Sequence, residues 1–284
     1  PMLELNGFLV FSRLLFGGAF VVLMIVEIDR KMMTQYKDEE NQRYARQIVL
    51  PGVGVEGQEK LRSASVLVVG CGGLGSPVCL YLAAAGVGTL GLIDFDRVEA
   101  SNLQRQILHG TAMLGQSKLK SAVARLHDLN PDVKMSLYDG RMTVSTGLDW
   151  ARNYDLIVDA SDNYETRYAS NEVAFRLGKP VVVGAVSQFA GQLSVFDPHA
   201  ACGCYQCMVP DLPSPDSLPT PAQLGVMGAI VGAIGSLQAC EVIKLILGVG
   251  VPLIGKMFHL DALTMNSKTV RLARNPHCPI CGHQ

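Results

Sequence analysis

The chain has 284 residues with 24 basic and 25 acidic side chains, a net charge of −1. Apolar residues make up 49% and charged residues 17%, which excludes an unfolded polyelectrolyte. The near-neutral charge lacks the basic excess of a nucleic-acid binder, and eight cysteines in this length are too few for a disulfide scaffold.

Residues 8–26 read FLVFSRLLFGGAFVVLMIV, 19 residues whose one charge is Arg13. That length is near the ~20 residues that span a bilayer. Glu4 and no basic residue precede it, so it is a poor secretory signal. Arg30, Lys31, Lys37 and Arg43 follow. By the positive-inside rule, a span here leaves the rest of the chain in the cytoplasm. Three readings stay open. The segment is an appended or dispensable stretch, with Met32 and Met33 as later starts; a membrane anchor; or an interfacial or partner-binding helix. Membrane contact is expected through residues 8–26 alone. From Tyr36 the run KDEENQRYARQ reads as a charged linker or short amphipathic helix. The expected organisation is therefore a hydrophobic segment at 1–35 and a globular domain at 36–284.

SVLVV at 65–69 is a β-branched apolar run, predicted as a buried strand. GCGGLG follows at 70–75, then a helical pattern to about Ala85 that Gly86 and Gly88 end. TLGLIDFD at 89–96 is the next strand, which completes a βαβ unit. Residues 117–128 form an amphipathic helix stopped at Asn130-Pro131. DLIVDAS at 155–161 and KPVVVGAV at 179–186 are further buried strands, and GQLSVFD at 191–197 alternates as an antiparallel strand does. Residues 208–224 hold five prolines and read as a loop. Residues 226–247 read as one long helix. Its Ser236, Gln238, Glu241 and Lys244 disfavour a bilayer span, and its Gly228, Gly232 and Gly235 allow close packing in a core or at a subunit interface. Strands alternating with helices predict an α/β fold, a Rossmann-like mainly parallel sheet with an antiparallel C-terminal extension.

Gly70, Gly72 and Gly75 match G-x-G-x-x-G between a strand and a helix. Such glycines let backbone approach phosphate, and the helix N-terminus supplies free N–H groups and partial positive charge. Asp94, at the end of the next strand, is placed to accept from ribose hydroxyls. NAD, FAD and ATP all fit this much. A second cluster separates them. Ser101, Asn102, Gln104, Arg105 and Gln106 crowd into six positions, Lys118 starts a helix, and Asp159 and Asp162 end an apolar strand. Two cations and a carboxylate at one phosphate chain suit phosphoryl or nucleotidyl transfer, where they offset charge on the leaving group and hold Mg²⁺. Hydride transfer needs none of them.

The runs NQRYARQIVL, GCGGLGS, DFDRVEASNLQRQ, GQSK and DASDN resemble the MoeB/ThiF family of E1-like adenylyltransferases, over about residues 41–282. The resemblance implies ATP-dependent adenylylation of the C-terminal glycine of a ubiquitin-like sulfur carrier ending in Gly-Gly, in a cytoplasmic homodimer. It places Gly73 against the nucleotide and Asp94 at the ribose. It sets Ser101, Asn102, Leu103, Gln104, Arg105 and Lys118 along the phosphates, and Asp162 on Mg²⁺ with Asn163 beside it. It implies that Arg46 reaches the neighbouring subunit's site; from composition alone Arg46 is an ordinary surface charge.

Cys204-x-x-Cys207 and Cys278-x-x-Cys281 pair as the ligands of a tetrahedral structural Zn²⁺ do, and the resemblance includes these four positions. Redox dithiols and free thiols are the rivals. Cys202 and His277 lie near but break the symmetric spacing, and Cys71, Cys79 and Cys240 read as small buried apolar residues. Many relatives carry a cysteine before the long helix for covalent chemistry with the carrier. Here Thr220 and Pro221 stand there, and a chain without an appended sulfurtransferase domain is expected. The resemblance is thus nearer the MoeB type, which serves molybdopterin synthesis, with thiamine, cysteine or tRNA sulfuration as alternatives. An oxidoreductase resting on the glycine loop alone, and a scaffold that binds a carrier without adenylylating it, are the competing functions.

Overall fold

The computed structural model describes residues 42–212 and 224–282, together with the backbone of residues 39–41 and of short strands before them. The chain divides into two compact units, Pro1–Gly54 and Val55–Gln284.

In the first unit, Phe8–Phe11 pairs antiparallel with Leu3–Leu5 and with Leu23–Ile25, and Leu15–Phe16 pairs with Ala19–Phe20. These parts of the apolar segment are extended, where an anchor helix or an interfacial helix would be helical. The rest of the segment and the expected boundary at 35/36 lie outside the described residues. Glu39–Ile48 is a helix, with Arg46 exposed in its last turn.

The second unit is built on strand–helix alternation. After helix α1 (Gly54–Ser63), the β-branched run Ser65–Val69 (β1) is buried from Val66 onward. Helix α2 (Gly75–Ala84) returns to β2 (Thr89–Asp94), whose side chains are buried from Leu90 to Asp94. Helix α3 (Lys118–Leu129) leads to β3 (Lys134–Asp139), and α4 (Val144–Trp150) to β4 (Leu156–Asp159). Helix α5 (Tyr164–Leu177) ends at Gly178, in the left-handed conformation that glycine favours, and leads to β5 (Val181–Ser187). Strand β6 (Ala190–Phe196) turns back antiparallel, followed by the short helix α6 (Tyr205–Met208). Helix α7 (Gly228–Leu247) precedes the hairpin of β7 (Lys256–Asp261) and β8 (Asn266–Arg271).

These eight strands form one sheet in the order β8-β7-β6-β5-β4-β1-β2-β3. Strands β5, β4, β1, β2 and β3 are parallel, and β6 to β8 extend the sheet antiparallel. The fold is the expected Rossmann-like α/β architecture with an antiparallel C-terminal extension. Strand order reverses at β1 and β4. In open α/β sheets, ligands bind at the carboxyl ends of the strands beside such a switch point.

Among the described residues α7 is the one helix long and apolar enough to cross a membrane, and half of it is buried inside the protein. Its glycines serve packing. A Cβ at Gly235 would stand 2.5 Å from Leu74 O, and one at Gly228 would stand 2.3 Å from Gln104 O. The helix therefore lies against the glycine loop and the 101–106 segment. Glu241 is buried, pairs with Lys244 at 2.5 Å and accepts from Leu253 N–H at 2.8 Å. Cys240, expected inside, is exposed. The helix is apolar nearly all round, so composition does not reveal which face is buried.

Candidate active site

The glycine loop is shaped by two steric demands. Gly70 has φ +93°, a region that side-chain-bearing residues avoid. A Cβ on Gly75 would stand 1.9 Å from Gly70 O, so α2 starts tight against the strand it follows. Gly72 faces Gln106 with ordinary clearance. At Gly73 a Cβ would meet Val231 at 2.7 Å and the Arg105 stem at 3.7 Å, so its Cα side faces protein.

Asp94 ends β2 and is buried beneath this loop. Its Oδ2 accepts from Cys71 N–H at 2.8 Å and its Oδ1 from Asp96 N–H at 2.9 Å. Each oxygen keeps a further lone pair for a hydroxyl donor. Lys118, the first residue of α3, is also buried, and its Nζ pairs with Asp96 Oδ2 at 2.8 Å. A buried ammonium needs a partner of this kind, and the pair keeps the cation at the edge that carries Asp94.

The polar cluster folds as a short 3-10 turn, Ala100–Asn102. Glu99 and Asn102 cap each other's backbone, and Arg105 Nη1 donates to Ser101 O at 3.0 Å. Ser101 and Gln104 are exposed; Asn102, Leu103 and Arg105 are half-buried. Across the switch point, Gly70 packs on Ala160, two residues before Asp162. Asp162 is exposed, and Asn163 caps α5 by accepting from Thr166 N–H at 2.9 Å. The cap fixes the turn on which Asp162 stands. A carboxylate is the kind of donor that Mg²⁺ takes.

Arg46 belongs to the first unit and is described there alone. Thr220 and Pro221 lie outside the described residues.

Sequence reasoning missed His109. It is buried, with Nε2 2.8 Å from Cys71 O and Nδ1 2.9 Å from Ser121 Oγ. A carbonyl only accepts, so Nε2 carries the proton and Nδ1 accepts from the serine hydroxyl. The ring thus props the glycine loop from below as a neutral imidazole. Burial lowers its pKa from the ordinary 6.5. The folded value lies below the unfolded one, so the unfolded state binds the proton first. His109 costs no stability above about pH 6.5 and destabilises progressively below it. Urea midpoints measured from pH 8 to pH 5 should fall more for the native chain than for His109→Gln. Parallel curves would show that His109 does not titrate in this window. Gln106, a member of the polar cluster named from the sequence, is buried against Gly72, with Oε1 unpaired.

The four cysteines converge as spacing predicts. Their sulfurs lie within 4.8 Å of one another, with Cys204 to Cys278 at 3.6 Å and Cys207 to Cys281 at 3.4 Å. Thiolates on a tetrahedral zinc stand ~3.8 Å apart, whereas a disulfide needs about 2.05 Å. Burial pushes the Cys204 thiol far up and takes Cys281 up to about 11. Burial also opposes ionisation of Cys278, but the N–H groups of Cys281 and Ile280 outweigh it and lower that thiol. The donor set fits zinc. Cys202 and His277 are not among the four. Cys71 and Cys79 are buried as expected, and their mutual hydrogen bond, with burial, holds the Cys71 thiol protonated.

A model of the ThiF family matches residues 44–280. The chain belongs to the ThiF family. A sulfur carrier protein adenylyltransferase of Thermus thermophilus is 48% identical over 88% of this chain and 94% of its own length. The adenylyltransferase and sulfurtransferase MOCS3 of Bos taurus is 47% identical over 87% of this chain. The probable adenylyltransferase/sulfurtransferase MoeZ of Mycobacterium tuberculosis is 44% identical over 85% of it. This ThiF-family chain spans 54% of the MOCS3 relative and 62% of MoeZ. These relatives are nucleotidyltransferases by name. Among solved structures, E. coli MccB with ATP shares the fold, at a TM-score of 0.76 and 24% identity over 90% of this chain and 83% of that one.

Proposed function

We propose that this chain adenylylates the C-terminal glycine carboxylate of a ubiquitin-like sulfur carrier ending in Gly-Gly, consuming ATP and releasing pyrophosphate. The observation that carries the reading is the Lys118 ammonium, buried and paired with Asp96 at the edge that carries Asp94 and the glycine loop. A fixed cation at a nucleotide site serves phosphate chemistry and has no task in hydride transfer. The named relatives support the same reaction.

The carrier's carboxylate is already ionised, so attack on the α-phosphate needs no general base. Catalysis reduces to orienting two anions and offsetting their repulsion. In this reading Asp94 holds the ribose, and Ser101, Asn102, Leu103 and Gln104 line the phosphates with the glycine loop. Lys118 and Arg105 offset charge on the departing pyrophosphate, while Asp162, with Asn163 beside it, holds Mg²⁺. Magnesium, when bound, neutralises phosphate charge. Residues 36–284 carry the whole reaction, and we place it in the cytoplasm, where reduced thiols retain zinc.

ATP–pyrophosphate exchange with Gly-Gly-ending carriers, each tested alone, checks the reading. The carrier for molybdopterin synthesis comes first, then those for thiamine, cysteine and tRNA sulfuration. Exchange with one carrier supports adenylylation and names the pathway; absence of exchange with all of them favours a carrier-binding scaffold.

Arg46 is assigned to the neighbouring subunit's site in a homodimer. Arg46→Ala and Asp162→Ala proteins, each inactive alone, should recover up to about a quarter of native exchange when mixed and allowed to exchange subunits, by random pairing of subunits in a symmetric dimer. No recovery in a demonstrated mixed dimer would place Arg46 outside the shared site.

A further inference from the structure

We propose that Arg167 is the positioning residue for Asp162: its guanidinium fixes the Ser161 carbonyl and so aims the carboxylate assigned to Mg²⁺. The inference rests on the magnesium reading of Asp162.

Asp162 is exposed, and its side chain is nearly uncommitted. A carboxylate that serves Mg²⁺ must still be presented in one place, because the ion demands near-ideal octahedral geometry. Here the neighbours present it. Ser161 is buried, and its N–H and hydroxyl both donate to Asp159 Oδ1, at 3.0 and 2.6 Å. Its carbonyl accepts from Arg167 Nη2 at 3.0 Å. Each polar group of Ser161 is thus pinned by a buried side chain. The carbonyl belongs to the peptide plane that joins Ser161 to Asp162, so Arg167 sets the plane from which Asp162 springs. On the other side, Asn163 is committed to the cap of α5.

Arg167 is a costly choice for a merely structural bond. It is 7% exposed and lies one turn into α5, near the end where the helix dipole disfavours a cation. Among the described residues it pairs with no carboxylate. Its Nε is buried without a partner. The Tyr164 ring faces the guanidinium at 5.8 Å, the outer range of a cation–π contact. The side chain also borders a cavity of about 90 Å³ with Tyr164, Gln192, Ser194 and Tyr205, so close packing does not hold it. The bond to Ser161 O is its one described hydrogen bond. A buried cation without a counter-charge weakens a fold, and departures of this kind gather at functional sites.

Residues that orient a metal ligand typically alter metal affinity 10–100-fold. Arg167→Met keeps an apolar stem and removes the donor. Mn²⁺ bound to the ATP-loaded chain, followed by electron paramagnetic resonance, should be held about 10–100-fold more weakly than by the native chain. ATP binding in EDTA should match that of the native chain. Arg167→Lys, which retains a donor, should recover part of the lost affinity. Because Arg167 acts through Asp162, the double variant Arg167→Met with Asp162→Ala should hold Mn²⁺ no more weakly than Asp162→Ala alone. A merely structural role would lower the thermal midpoint and leave Mn²⁺ affinity in place. Native Mn²⁺ affinity in folded Arg167→Met overturns the proposal, as do losses that add in the double variant or an equal loss of ATP binding in EDTA. Should the Arg167 variants not fold, crystals of the native chain with Mn²⁺ and ATP decide. Arg167 on the Ser161 carbonyl with Asp162 on the metal is the expected result, and a guanidinium turned away from that carbonyl overturns it. Native Mn²⁺ affinity in Asp162→Ala overturns the magnesium reading itself.

Discussion

Asp162→Ala is expected to lower carrier-dependent ATP–pyrophosphate exchange by about 10²–10³-fold, the scale of losing one preorganised electrostatic contact to a charged transition state. The fold should not register the change. Asp162 is exposed, and its one described side-chain contact is Asn163 Nδ2 at a marginal 3.5 Å. The cap of α5 belongs to Asn163, which is untouched. Surface substitutions away from such features stay within about 0.5 kcal/mol, so thermal midpoints should agree to a few degrees. Exchange should remain low when Mg²⁺ is raised, if the lost carboxylate is what orients the ion. Native exchange in a folded variant would remove Asp162 from the metal role. A loss accompanied by a large fall in midpoint would assign it a structural one. Asp159 makes the contrast. It is fully buried, and its Oδ1 accepts from both Ser161 N–H and Ser161 Oγ, so its removal should damage the fold first.

The parts of this architecture legible in the sequence are those where burial is two-sided. Ser65–Val69, Leu156–Asp159 and Val181–Ser187 are central strands, and their apolar runs have no polar face to obscure them. Strand β3 (KMSLYD) is hard to read because it is the sheet edge, with no buried side chain and with exposed and half-buried positions that keep no period of two. The hairpin of β7 and β8 is exposed or half-buried throughout, and its turn places Met265 at φ +55° without a glycine to announce it. Helix α5 was hidden for a different reason. Its inner face includes Arg167, Ser170 and Asn171, so apolar periodicity breaks where the helix meets the 159–163 loop and the cysteine knuckle. A polar inner face reads as a surface face until the partners are known.

The site divides the same way. Gly70, Asp94, Lys118 and the four cysteines were legible because residue type and spacing carry their chemistry. At Gly73 the side a Cβ would occupy meets Val231 and Arg105, a packing demand that residue type alone does not reveal. His109 was invisible because its partner is a backbone carbonyl, and a carbonyl leaves no mark in a sequence.

Cys204→Ser should produce the largest change in stability. Residues 204 and 278 are joined across most of the C-terminal extension, so zinc there holds the chain's last segment against the knuckle after β6. The cysteines are also core. Cys204, Cys278 and Cys281 pack in one cluster with Phe196, Tyr205 and Phe175. A ligand present at about 1,000 times its dissociation constant stabilises the folded state by about 4.1 kcal/mol. At about 2–4 °C per kcal/mol for a domain of this size, its loss should lower the midpoint by roughly 8–16 °C. Serine keeps the shape but is a poor zinc ligand, so bound zinc should fall from one per chain to well below half. Chelating zinc from the native chain should reproduce most of the shift, which separates loss of the metal from loss of packing. Exchange activity below the new midpoint should survive, because none of the proposed nucleotide ligands touches the cluster. A native midpoint and one tightly held zinc in Cys204→Ser would mean that the metal sits elsewhere. An unchanged midpoint after complete chelation would make the knuckle a packed thiol cluster, and the tail would then be held by bonds such as Asn275 N–H to Cys207 Sγ at 3.4 Å.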